Sequence, residues 1–120
     1  MTGVEWIVEA YGCAPAALRD LEMLRSLFAR LIADLGLHTV GEIHWHCFPP
    51  PGGITGLALL SESHLTCHTF PEHGSLCLNL FCCRPRPRWN FEAQLRAHLG
   101  ADAITVREVT RDYVPAGVSV

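Results

Sequence analysis

The stretch from His38 to Cys83 constrains the fold most. It is cut by two breaks, PPPGG at Pro49 to Gly53 and PEHG at Pro71 to Gly74. Between and around them lie short apolar runs: HTVGEIHWHCF, ITGLALLS, SHLTCHTF and SLCLNLFCC. The last alternates cleanly, with Leu76, Leu78, Leu80 and Cys82 on one face. Proline and glycine end strands sharply. Connections this tight join antiparallel neighbours, because a parallel pair needs a long crossover. Four antiparallel strands are therefore expected in the middle of the chain.

The flanks supply two helices and two more strands. VEWIVEA, Val4 to Ala10, reads as a strand with Val4, Trp6 and Val8 on one side and Glu5 and Glu9 on the other. Pro15 suits the first turn of a helix. Leu18, Leu21, Leu24, Phe28, Leu31 and Leu35 then form one apolar stripe, which Gly36 ends. Asn90 and Gly100 bracket a second helix, and AITVREVT reads as the last strand. The tail VPAGVSV is expected to be loose. The order is β-α-β-β-β-β-α-β. Two helices can cover only one face of such a sheet, so the expected fold is an α+β two-layer sandwich. The uncovered face is expected to carry Trp45 and Ile43 or their neighbours, and a homodimer across it is expected.

With 120 residues the chain suits a single domain, residues 1–120. Hydrophobic residues make up 49% and charged residues 18%, as in a globular protein. The net charge of −3 argues against a nucleic-acid partner. RPRPR, Arg84 to Arg88, is the only basic cluster and reads as a solvated loop. No stretch approaches the roughly 18–20 apolar residues of a membrane helix, so no membrane partner is expected. The N-terminus lacks the basic head and apolar core of a signal peptide. A cytoplasmic location follows, where thiols stay reduced. The six cysteines include an adjacent pair, Cys82 and Cys83, and isolated Cys13 and Cys47, so no disulfide framework is evident.

SESHLTCHTFPEHG, residues 61–74, concentrates the candidate chemistry. His64 and His68 would share one face of a strand, and Cys83 could join them around a metal. The chain has no C-x-x-C and no zinc-finger spacing, and no metal site is expected. Cys67, Cys77 and Cys82 read as half-buried strand residues, because free cysteine packs as a small apolar side chain. A hydrolase nucleophile needs a sharp turn such as G-x-S-x-G, and LSESHL is not one. A serine in a strained turn has another use: its hydroxyl can attack the carbonyl of the peptide before it.

LLSESHLTCHTFPEHG followed by LNLFCC resembles the prokaryotic S-adenosylmethionine decarboxylase proenzyme family. The family carries a close variant of S-E-S-H-x-x-x-H-T-W-P-E and then a strand ending in F-T-C. The similarity is dense from Gly53 to Cys83 and collinear from GVEWIVEAYGC through the first helix. The resemblance implies self-cleavage between Glu62 and Ser63, giving chains 1–62 and 63–120, with Ser63 becoming a pyruvoyl cofactor. That ketone would form a Schiff base with the substrate amine and act as electron sink during decarboxylation. By the same resemblance His68 assists cleavage by moving a proton. Cys83 returns a proton to the substrate. Phe48 and Phe70 stack on the adenine, and Glu72 binds the ribose.

The chain departs from the family pattern at four positions. Thr55 stands for a serine that supports cleavage, and its hydroxyl keeps the donor and acceptor. Phe70 stands for a tryptophan, Glu5 for a histidine, and Asn79 for an acid. The expected activity is S-adenosylmethionine decarboxylation for polyamine synthesis. The same pyruvoyl chemistry on arginine or ornithine is the alternative, and a non-cleaving ligand-binding homologue is a second.

Overall fold

The structure, a computed structural model, describes residues 2–117. Six strands form one sheet: β1 (Thr2–Tyr11), β2 (His44–Cys47), β3 (Ile54–Leu60), β4 (Ser63–Phe70), β5 (Ser75–Cys82) and β6 (Ala103–Asp112). Their order is β2-β3-β4-β5-β1-β6, and each neighbouring pair is antiparallel. Helices α1 (Pro15–Leu18), α2 (Leu21–Asp34) and α3 (Phe91–Leu99) supply the second layer. The architecture is the expected α+β two-layer sandwich.

Alternation along the strands decides which face is covered. Trp6, Val8 and Ala10 of β1 join Leu76, Leu78, Leu80 and Cys82 of β5 in the core, with Leu65 and Cys67 of β4. The helices add Leu18, Leu24, Leu27, Phe28, Leu31, Phe91, Leu95 and Leu99. Each such leucine or phenylalanine contributes about 1.5–3 kcal/mol when fully buried. Stability therefore resides in this one layer of contacts. The opposite face carries Glu5, Ile7, Glu9, His64, Thr66, His68, Leu57 and Leu59, and is free for chemistry.

Three local expectations are corrected. The apolar stripe after Pro15 is not one helix: the chain turns at Arg19, and Asp20 caps a new helix by accepting from the Glu22 and Met23 amides at 3.0 and 3.3 Å. The stripe spans the break because Leu18 and Leu24 both reach the core. The strand expected over 38–48 pairs only from His44 to Cys47. Gly41, at φ 74°, interrupts the extended run, and Thr39 keeps an isolated bridge to Leu60. Trp45 and Ile43 pack on the helix side, Trp45 tilted against Phe28 with ring centroids 4.7 Å apart. Leu57 and Leu59, both about half exposed, lie on the open face instead.

Asn90 caps α3 through the Ala93 amide, and Gly100 ends it in the left-handed conformation, as expected. The expected loose tail, Val114 to Val120, lies partly outside the described residues. Among those described, no helix is long and apolar enough to cross a membrane.

Candidate active site

The β3–β4 hairpin positions the candidate residues. Leu60 pairs with Ser63, so its loop is only Ser61 and Glu62. Two-residue loops need positive φ, which glycine and asparagine adopt readily. Here Glu62 takes it, at φ 63°. An L residue in that region costs about 1–2 kcal/mol, and the fold holds it there. The Cys83 amide donates to the Glu62 carbonyl at 2.7 Å. Ser63 is only 7% exposed. Its hydroxyl donates to the Ser61 carbonyl at 3.4 Å, and its backbone pairs with Cys82. A shielded serine thus follows a strained peptide whose carbonyl already receives a backbone donor.

Gly3 belongs to this end, and beyond its place in GVEWIVEA no sequence signal marks it. A Cβ there would lie 2.6 Å from the Cys82 carbonyl oxygen. Only glycine lets β1 approach the end of β5 so closely. Tyr113, beyond β6, donates its hydroxyl to the Cys83 carbonyl at 2.9 Å. Arg84 sets its Nε 2.9 Å from the Glu62 carboxylate.

The second group lies at the other end of the hairpin. Thr55 and His68 are cross-strand partners, with Thr55 Oγ1 and His68 Nδ1 2.9 Å apart. Phe48, Phe70 and Glu72 join them around a cleft of about 380 Å³, also lined by Pro49 and Pro51. Phe48 and Phe70 are 51% and 38% exposed, so both rings are available to a ligand. Buried Thr69 secures this end: its hydroxyl donates to the Leu18 carbonyl at 2.8 Å and accepts from the Ile54 amide at 2.9 Å.

The two groups do not meet within one protomer. Ser63 and His68 are five residues apart on β4, which places them about 16 Å apart at strand rise. Ser63 shares the helix-facing side with Leu65 and Cys67, and His68 lies on the open face with His64.

Cys67 and Cys82 are buried, and desolvation pushes their thiols up to about 12 and about 11. They act as apolar residues, as expected. Cys77 differs: it is exposed on the open face, cross-strand from His68, although partial desolvation of its thiol and nearby Glu9 still raise its pKa. All six cysteines are free. Among the described residues, no three His, Cys, Asp or Glu side chains converge as metal ligands.

Glu5 and Asn79, residues of the paired strands β1 and β5, meet on the open face. Asn79 donates to the Glu5 carboxylate at 2.8 Å, and Arg111 pairs with the same carboxylate. The Asn79 hydrogen bond is the main force holding the Glu5 carboxyl below its usual range, with Arg111 adding to it against partial burial. Asn79 and Arg111 thus hold one carboxylate, supplied by β1, on the open face.

The S-adenosylmethionine decarboxylase family model matches residues 4–112. The chain belongs to this family. It is 37% identical over 120 residues to the S-adenosylmethionine decarboxylase proenzyme of Parasynechococcus marenigrum, covering 99% of this chain and 91% of that protein. It is 36% identical over 110 residues to S-adenosylmethionine decarboxylase proenzyme 2 of Halalkalibacterium halodurans, covering 91% and 85%. The crystal structure of the adenosylmethionine decarboxylase from Aquifex aeolicus VF5 shares the fold, with a TM-score of 0.81 at 23% identity over 98% of this chain and 97% of that one.

Proposed function

We propose that this chain is a proenzyme that cleaves itself between Glu62 and Ser63 and, as a homodimer, decarboxylates S-adenosylmethionine. The observation that carries the reading is the Glu62 peptide: left-handed, with its carbonyl held on the Cys83 amide and a shielded serine next in line. Strain concentrated on one residue of a functional turn is a common device of this kind.

Maturation follows from these groups. Ser63 Oγ adds to the Glu62 carbonyl carbon, and the oxygen that gains charge already faces a backbone donor. The C–N bond breaks, the amine takes the hydroxyl proton, and an ester links residues 62 and 63. A base then removes the Ser63 Cα proton. The Cβ–O bond breaks, Glu62 leaves as a carboxylate, and the remaining dehydroalanine loses ammonia to water, leaving a ketone. The products are chains of residues 1–62 and 63–120.

The residues present fit a pyruvoyl group at position 63, because this turn carries both the nucleophile and the polarised carbonyl that form it. Such a group supplies a ketone that captures an α-amine and accepts electron density as carbon dioxide departs. Cys83 holds at Sγ the proton delivered to the substrate carbon afterwards. Phe48 and Phe70 stack on the adenine, and an aromatic face also attracts a sulfonium. Glu72 accepts hydrogen bonds from the ribose hydroxyls. Thr55 fixes the His68 ring through Nδ1, leaving Nε2 to take the Ser63 Cα proton.

A separation of about 16 Å prevents His68 from serving Ser63 of its own protomer. A second protomer resolves this. Stacking two open faces with strand directions reversed brings the His68 end of one chain to the Ser63 end of the other. Leu57 and Leu59 supply apolar surface for such a contact. A reducing, cytoplasmic setting suits six free thiols.

Two measurements test the reading. Denaturing mass spectrometry of purified protein is expected to show two fragments in place of the 13.2 kDa chain. Carbon dioxide release is expected with S-adenosylmethionine and not with arginine or ornithine. An intact chain with no carbonyl reactive toward hydrazine would leave only a ligand-binding homologue. Release from arginine or ornithine alone would move the substrate to a basic amino acid.

A further inference from the structure

We propose that Arg84 and Tyr113 are positioning residues that clamp the Glu62 carbonyl onto the Cys83 amide for self-cleavage, an inference that rests on the self-cleavage reading above. The hydrogen bond between these backbone groups joins a tight turn to the first residue beyond β5. It extends the β4–β5 register one position past Ser63–Cys82, so it is the last bond of that ladder and sits at its open end. Glu62 sits in the left-handed region, from which an L side chain relaxes unless it is restrained.

Each side of the bond has one such restraint. On the Glu62 side, the carboxylate meets Arg84 Nε at 2.9 Å. Arg84 directly follows Cys83, so the amide hydrogen bond, the chain and the ion pair close a small ring around the scissile residue. On the Cys83 side, the carbonyl accepts from Tyr113 Oη at 2.9 Å. Both backbone groups of Cys83 are therefore occupied, one by the scissile carbonyl and one by Tyr113.

The RPRPR loop gains a physical account from this. Its composition reads as a solvated loop, yet each arginine is engaged. Arg86 donates to the Leu35 carbonyl at 3.2 Å, and Arg88 forms two hydrogen bonds to Glu92 at 2.8 and 2.9 Å. Arg84 alone points at the cleavage turn. Pro85 restricts the backbone of the residue before it to extended conformations, which limits how far the guanidinium can drift. In the first step Ser63 Oγ bonds to the Glu62 carbon, the C–N bond breaks and the hydroxyl proton passes to nitrogen. Negative charge grows on the carbonyl oxygen that the Cys83 amide holds.

The Arg84 and Glu62 side chains are 58% and 49% exposed, so the pair is screened by salt and its effect is moderate. Conversion of freshly made 13.2 kDa chain is followed by denaturing mass spectrometry. Arg84→Ala and Tyr113→Phe are each expected to slow cleavage about three- to fivefold. Arg84→Glu should be slower still, and the swap Glu62→Arg with Arg84→Glu should restore most of the rate. Raising salt from about 0.05 M to about 0.5 M should bring the wild type down to the Arg84→Ala rate and leave that variant unchanged. A general folding defect would show neither the rescue nor the selective salt effect, and that pattern overturns the clamp. Wild-type cleavage rates in both single variants overturn it while self-cleavage stands. A wild type that stays whole removes the clamp together with the reading beneath it.

Discussion

The two ends of the β3–β4 hairpin are built by different means. The Ser63 end works through backbone: a left-handed glutamate, an amide on its carbonyl, and a glycine on β1 that permits close approach. The His68 end works through side chains: an imidazole held by a threonine hydroxyl, two exposed aromatics and a carboxylate around one cleft. One end suits breaking a bond within the chain, and the other suits binding a ligand and holding an imidazole in place. The hairpin keeps them apart, and on the proposed reading each works with the other end of a second molecule.

The largest expected effect tests that division. Ser63→Ala should remain one chain and be inactive, and His68→Ala should cleave very slowly. Mixing the two under conditions that exchange subunits should yield cleaved His68→Ala chains and activity, because each mixed dimer holds one site with both residues intact. Cleavage confined to the level of His68→Ala alone would show that the two ends never meet across an interface.

Next in size is Cys83→Ala. Its backbone amide remains, so cleavage should proceed near the wild-type rate. Loss of the thiol should lower kcat about a hundredfold, in the range of a missing general acid. Single-turnover kinetics on cleaved protein would separate the two steps, and full turnover in the variant would remove Cys83 from proton delivery. Thr55→Val should slow cleavage about tenfold by freeing the His68 ring, and Thr55→Ser should restore it. Equal cleavage in all three would mean that the 2.9 Å contact does not orient the imidazole.

How much of this was legible in the sequence differs between the two ends. The His68 end was readable residue by residue, because its chemistry lies in side chains that a motif displays. Thr55, His68, Phe48, Phe70 and Glu72 do surround one cleft. The Ser63 end was readable only as a bond. Nothing in the letters S-E-S reveals that Glu62 has φ 63°, that Cys83 donates to it, or that Gly3, Arg84 and Tyr113 converge there from three other segments. Those contacts are set by register, which a single sequence leaves open. The same limit hid the Glu5–Asn79 pair, two residues on different strands that meet through a hydrogen bond. It also misplaced Trp45, because one residue of register moves a side chain to the opposite face. The broken helix was missed for a local reason: a stripe at helical spacing does not reveal a capping Asp20 that restarts it.

Backbone strain at the Ser63 end has a smaller, thermodynamic signature. In a Ser63→Ala background, where no cleavage intervenes, Glu62→Gly should be more stable than Glu62→Ala by about 1 kcal/mol. Neither variant keeps the carboxylate, so loss of the Arg84 pair cancels in the comparison. The order reverses at an ordinary position, where glycine is the less stable residue. Denaturant unfolding in which the alanine variant equals or exceeds the glycine variant in stability would show that the turn stores no strain.

The smallest expected effect sharpens the His68 end. Phe70 offers a single six-membered ring, smaller than an indole, and it is partly exposed beside Phe48 at the cleft. A larger π surface strengthens both stacking on a planar base and attraction for a cation. Phe70→Trp should therefore lower KM for S-adenosylmethionine about two- to threefold, with kcat and cleavage rate unchanged, because stacking on the base takes no part in the bond changes at Ser63. Phe70→Leu, which keeps apolar area without a π face, should raise KM. Unchanged KM in Phe70→Leu, or a higher KM in Phe70→Trp, would mean that the ring face plays no part in holding the base.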